Sequence, residues 1–111
     1  MIRSTLSRNT TVSDAAEFEK RQAALIERLL PLLQRQPGFV SHEMRREGDG
    51  GGMVQVTAWH TADDCRAYLR NGAAAMAATM LDACFPTAPF PNGNWVRRNA
   101  DAGAQGAAPA R

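Results

Sequence analysis

No stretch of this chain is long and apolar enough to read as a membrane span. Its first residues, MIRSTLSRNT, alternate polar and apolar where a secretion signal would carry a hydrophobic run. A membrane association is therefore not expected, and a cytoplasmic location is. Cysteine is scarce: Cys65 and Cys84 are the only two. Both stand in segments that read as helical, and neither spacing nor compartment favours a disulfide, so they are read as free, mostly buried thiols. Charge of one sign is scarce as well. A net charge of +2 and a pI near 8.9, with scattered arginines, leave no basic stripe interleaved with aromatics, so nucleic acid is not an expected partner. Histidine is limited to His42 and His60. His42-Glu43 begins like a zinc-protease helix, but Arg46 stands where the second histidine is required and the segment reads as a strand. No metal site is expected.

What is present describes an ordinary globular domain, with 44% hydrophobic and 22% charged residues among 111. That length suits one modest core and is short for a core that also encloses a substrate cavity, a shortage that dimerisation would relieve. Ile2 to Ser7 alternates and fits a first strand. A helix begins near Asp14, capped by Ser13 or Asp14 with Glu17 three residues on, and Phe18, Leu25, Leu29 and Leu32 form its apolar stripe. Pro31 lies inside that pattern and should kink it before the helix ends at Pro37-Gly38. Phe39 to Glu47 reads as strand two, the five residues 48–52 as a hairpin loop, and Met53 to His60 as strand three. A phosphate cradle would lead from a strand into a helix, whereas this glycine run leads into another strand. Thr61-Ala62-Asp63-Asp64 is a capping box opening a second helix, with a break at Asn71-Gly72 before an alanine-rich stretch to Cys84. Asn94 to Arg98 reads as a last strand, and 100–111 as a disordered Ala/Gly-rich tail following a domain over 1–99. The order β, α, β, β, α, β is a split βαβ arrangement: an α+β, ferredoxin-like domain with a four-stranded antiparallel sheet.

Three places carry a resemblance to a known family: Pro37-Gly38-Phe39-Val40 at the helix-to-strand corner, Trp59 followed by a polar pair at the strand-to-helix corner, and Ala67-Tyr68-Leu69 in helix two. The chain resembles the antibiotic biosynthesis monooxygenases over roughly Met1 to Asn99. That resemblance implies a homodimer built as an α+β barrel, with a cavity between each sheet and its own helices. It also implies small aromatic or quinol substrates oxidised by O2 with no cofactor, neither metal nor flavin. Polyketide-oxidising members carry an asparagine and a tryptophan four residues apart on strand three; here Gln55 and Trp59 hold those places. Cys65 and Thr79 stand where such members have a tyrosine and an arginine. Tyr68 and Ala78 stand where a haem-degrading branch has its tryptophan and histidine, so that branch does not fit.

Strand periodicity puts Gln55, Thr57 and Trp59 on one face of strand three and Val54, Val56, Ala58 and His60 on the other. Simple register across the glycine loop would set Glu43 and Arg45 opposite Thr57 and Gln55. Periodicity leaves open whether the Gln55 face meets helices, solvent or a partner. The expected catalytic set is Trp59 as pocket wall and indole donor, Gln55 as the amide that orients a substrate oxygen, and His42 as a positioned base. Arg45, Thr57, Arg66 and Tyr68 are the expected substrate contacts, Arg45 or Arg66 as the cation that favours a phenolate. The expected function is a cofactor-independent monooxygenase for a phenolic or quinol, polyketide-like aromatic. A cyclase or isomerase on the same scaffold, and a non-catalytic small-ligand-binding dimer, are the alternatives.

Overall fold

The computed structural model describes residues 1–48 and 51–88, together with the backbone of 96–101. Its elements in chain order are β1 (Ile2–Asn9), α1 (Ala15–Gln34), β2 (Phe39–Glu47), β3 (Gly52–Trp59), α2 (Ala62–Arg70), α3 (Ala73–Cys84) and β4 (Val96–Asp101). The strands form one antiparallel sheet in the order β2-β3-β1-β4. Its described side chains all belong to β1, β2 and β3, while β4 lines the edge of β1 by its backbone. β4 ends at Asp101, past the Arg98 expected from sequence; Asn94 and residues 102–111 of the expected tail lie outside the described residues.

Each helix starts where capping chemistry allows. The Asp14 carboxylate accepts from the Glu17 N–H at 2.9 Å, and Thr61 Oγ1 accepts from the Asp64 N–H at 3.0 Å, each satisfying a donor that the first helical turn leaves over. Asn71 Oδ1 accepts from the Ala73 N–H at 2.9 Å, so the break between α2 and α3 is a turn with its own cap. Gly72 occupies that turn at φ 92, in the left-handed region where a side chain would be strained. α1 continues through Pro31 to Gln34, with that proline on the exposed side of the helix.

The apolar stripe of α1 is what joins helices to sheet. Phe18, Leu25, Leu29, Leu32 and Leu33 are buried, and α1 lies against β2 and α3 while α2 lies against β1, β3 and α3. Burying each such side chain contributes about 1.5–3 kcal/mol. Trp59, Phe85, Met53 and Leu81 complete this single core beneath the helices. Among the described residues, the helices cover one face of the sheet and none of them lies on the other, although Val54 and Ala58 on that side are buried between their neighbours.

Register decides which side chains go where. Glu47 pairs with Gly52, so Gly52 belongs to the strand and the hairpin connection is one residue shorter than the five glycine-loop residues suggest. Thr57 therefore faces His42, and Gln55 faces Met44; Glu43 and Arg45 instead sit opposite Val56 and Val54. The expected pairing of Glu43 and Arg45 with Thr57 and Gln55 is off by one, and a slip of one residue moves a whole strand's side chains to the other face. A bulge between Phe39 and Ser41 returns Phe39 to the side of Trp59 at the far end.

Candidate active site

Met53, Gln55, Thr57 and Trp59 alternate along β3 and all are buried, beneath the helices. Trp59 has no exposed surface. Its ring stacks on Tyr68 of α2 at 4.7 Å between centroids and meets the edge of Phe39 at 5.7 Å. The indole N–H donates to Thr57 Oγ1 at 2.9 Å. Sequence reasoning expected this indole to wall a pocket and to offer its proton to a substrate; the structure gives both the ring face and the proton to neighbours inside the chain. Trp59 therefore ties Thr57 on its own strand to Tyr68 in the last turn of α2.

Thr57 lies in a row that crosses three strands, with His42 beside it on β2 and Ser4 beside it on β1. Ser4 is 1% exposed. One residue pair along the strand, Gln55 is flanked by Met44 and Leu6. Gln55 Nε2 and His42 Nε2 are 3.2 Å apart. With the amide donating, Nε2 of a neutral imidazole accepts and the ring proton sits on Nδ1. Burial lowers the His42 pKa from its ordinary value, outweighing the opposing pull of Glu43, so the neutral ring is the form this place favours. A neutral imidazole hydrogen-bonded to a buried amide can take a proton from a hydroxyl while the amide turns to hold the resulting oxyanion.

Five of the expected site residues thus converge on the helix-covered face: His42, Gln55, Thr57, Trp59 and Tyr68. Two do not. Arg45 lies on the open face, half-exposed, with its guanidinium 3.4 Å from Glu43 and 3.7 Å from Glu47. Arg66 points outward from α2 and pairs with Asp63. Neither can supply a cation to the buried row, the first because of the register and the second because its turn of helix faces water.

Three buried polar residues escaped the sequence reading: Ser4 and Arg8 on β1, and Thr10 just beyond it. Alternation in β1 pointed to the right face, because Ile2, Ser4, Leu6 and Arg8 share it, but a long cation on that face ordinarily signals solvent. Among the described residues, no three His, Cys, Asp or Glu side chains group closely enough to hold a metal ion. Cys65 is buried and Cys84 partly so, and neither forms a disulfide among the described residues. A cleft of about 280 Å³ lies elsewhere, between Val12, Asp14, Glu17 and Arg21 at the start of α1 and Pro86 after α3.

No protein-family model matches this sequence, and no protein of curated function matches it either. Solved structures do match. A Bordetella bronchiseptica protein provisionally assigned to the antibiotic biosynthesis monooxygenases superposes with a TM-score of 0.64 at 19% identity, over 90% of this chain and 94% of the other. SnoaB, a cofactor-independent oxygenase of Streptomyces nogalater, solved as a single-residue variant, superposes with a TM-score of 0.59 at 26% identity, covering 94% and 95% of the two chains. A monooxygenase of Streptomyces coelicolor in complex with nanaomycin D gives 0.58 at 17% identity, over 89% and 82%. These structural neighbours, described as monooxygenases or assigned provisionally to the antibiotic biosynthesis monooxygenases, share an α+β, ferredoxin-like fold and support the family resemblance carried by the sequence.

Proposed function

We propose that this protein is a cofactor-independent monooxygenase that oxidises a phenolic or quinol aromatic with O2. The observation that carries the reading is the His42–Gln55 pair, a neutral-favouring imidazole 3.2 Å from a buried amide on the helix-covered face. The likeness to SnoaB, at 26% identity over nearly the whole chain, supports the reaction class.

In this mechanism His42 Nε2 removes the proton of a substrate hydroxyl, displacing the Gln55 N–H, which then donates to the phenolate oxygen. The phenolate gives one electron to O2, producing a phenoxyl radical and superoxide. Their recombination forms a carbon–oxygen bond, and the peroxide takes up a proton. Loss of water across that carbon leaves a carbonyl, with one oxygen atom kept in the quinone and the other released as water. The protein's part is deprotonation, orientation and a low-dielectric surrounding that strengthens the hydrogen bond to the oxyanion. Thr57, held by the Trp59 N–H, fixes the row in which His42 stands.

A homodimer belongs to this reading. The open face carries Val54, Val56 and Ala58 in its middle strand with Arg3, Glu43 and Arg45 on its flanks, which suits cover by the same face of a second copy. Sedimentation at micromolar concentration should show twice the 12.0 kDa chain; a monomer alone overturns the dimer.

The enzyme reading is tested by oxygen uptake with anthrone and dihydroxynaphthalene substrates, using protein stripped of metal and flavin. Uptake above background that is lost in His42→Ala supports it. Uptake no faster than background across the panel overturns it and favours an isomerase or a binding protein on this scaffold.

A further inference from the structure

The sheet face beneath the helices holds a cation that the mechanism above does not use. On β1, Arg8 follows Leu6 by two residues, so the two side chains share a face, and Leu6 is the partner of Gln55 across the sheet. The Arg8 guanidinium side chain is 1% exposed and meets Asp82 of α3 at 2.8 Å, whereas the Asp82 side chain is 54% exposed. The pair is lopsided, with a cation out of water and an anion half in it.

We propose that Arg8 is an anion-recognition residue of this face, binding the negatively charged oxygen of an aromatic acid or phenolate, with Asp82 as the internal counter-ion that the ligand replaces. The inference rests on the reading of the helix-covered sheet face as the substrate site. Removing a guanidinium from water is costly, and a carboxylate that remains half-solvated offsets little of that cost because water screens it. Burial lowers the Arg8 pKa by more than Asp82 restores it, as expected of a cation whose charge partner stands half in water. A mere tie between β1 and α3 would be served at least as well by an apolar pair. Arg8 makes further contacts within the chain, so recognition here is an exchange of partners. A planar fork of donors suits the two oxygens of an aromatic carboxylate.

The test uses two redox-inert probes of similar shape, 2-naphthoate and the neutral 2-naphthylmethanol, titrated calorimetrically against the full chain. Wild type should bind the acid about 10-fold more tightly than the alcohol, the size of one charge-assisted contact. Arg8→Gln should bring the ratio near unity, and Asp82→Asn, which removes the competing carboxylate, should raise it several-fold. Should Arg8→Gln fail to fold, Asp82→Asn and Arg8→Lys carry the test, Arg8→Lys retaining part of the preference. Equal binding of the two probes by wild type, binding of neither, or a ratio unmoved by Asp82→Asn overturns the proposal. Because neither probe reacts with O2, the oxygenase reading falls or stands separately. A carboxylate preference with no oxygen uptake keeps the Arg8 site and removes the oxygenase, and oxygen uptake with no preference does the reverse.

Discussion

The two faces of one sheet are made from the same three strands with the same alternation, yet they hold polar groups for different ends. On the open face, Arg45 sits among Glu43 and Glu47 with water around all three, so its charge is screened and its contacts are worth little. On the covered face, Ser4, Arg8, Gln55 and Thr57 are buried and His42 is partly so, and there each polar atom must find a partner and each charge is felt. A polar residue on the first face keeps its water. On the second it must be matched inside the fold, and the proposed site draws on that row.

The comparison breaks most directly at His42. Under the proposed mechanism, His42→Ala should lower the rate of oxygen consumption by about 100-fold or more, the usual worth of a positioned base. The charge variant Arg45→Gln, at nearly the same height on β2 but on the open face, should leave the rate within about 2-fold. Steady-state oxygen-electrode kinetics of the two variants side by side checks this, and equal losses would erase the distinction between the faces.

Stability should divide in the same way. Leu29 is fully buried between α1 and the core, and Leu29→Ala should cost about 2–5 kcal/mol. Val56 is only partly buried on the open face, and Val56→Ala should cost less than about 1.5 kcal/mol in the isolated chain. Urea denaturation at low protein concentration measures both. A comparable loss for Val56→Ala that grows with protein concentration would instead report the partner subunit.

A pH series sharpens the role of burial. The folded-state pKa of His42 lies below the ordinary value near 6.5, so in mildly acidic solution the unfolded chain takes up a proton that the folded chain refuses. Stability should fall as pH drops through about 6.5 and level off once pH is below the folded value. His42→Gln should flatten that slope, as judged from denaturation midpoints at about pH 7.5 and about pH 5. The rate should follow the same group, declining on the acid side as the base becomes protonated.

A smaller effect than at Leu29 is expected at Trp59. Phenylalanine keeps an aromatic ring against Tyr68 but removes the N–H bond to Thr57 and leaves a small cavity in a fully buried place, so Trp59→Phe should cost about 1–3 kcal/mol of stability. A drop in oxygen consumption of about 10-fold would equal about 1.4 kcal/mol in the barrier, transmitted through Thr57. Retention of full rate with lost stability would make the indole a purely structural residue.

Local chemistry made much of this molecule legible in its sequence. The α1 stripe, the Asp14 and Thr61 caps, the break at Gly72 and the alternation of β3 each depend on neighbours within a few residues, and such rules act before any long-range contact exists. They place Gln55, Thr57 and Trp59 on one face without saying what covers that face. Only the tertiary structure decided that the helices do, because both faces offered enough apolar surface to be buried. It also decided the β2–β3 register, since flexible glycines restrain pairing weakly and the fit of Met44 and His42 beneath α1 selects the length of the connection. That one-residue difference brings His42 to Gln55 and sends Arg45 to water. Arg8 was hidden for the same reason: a strand pattern shows which way an arginine points, but whether a helix with an aspartate on it comes down over that arginine depends on residues more than seventy positions away.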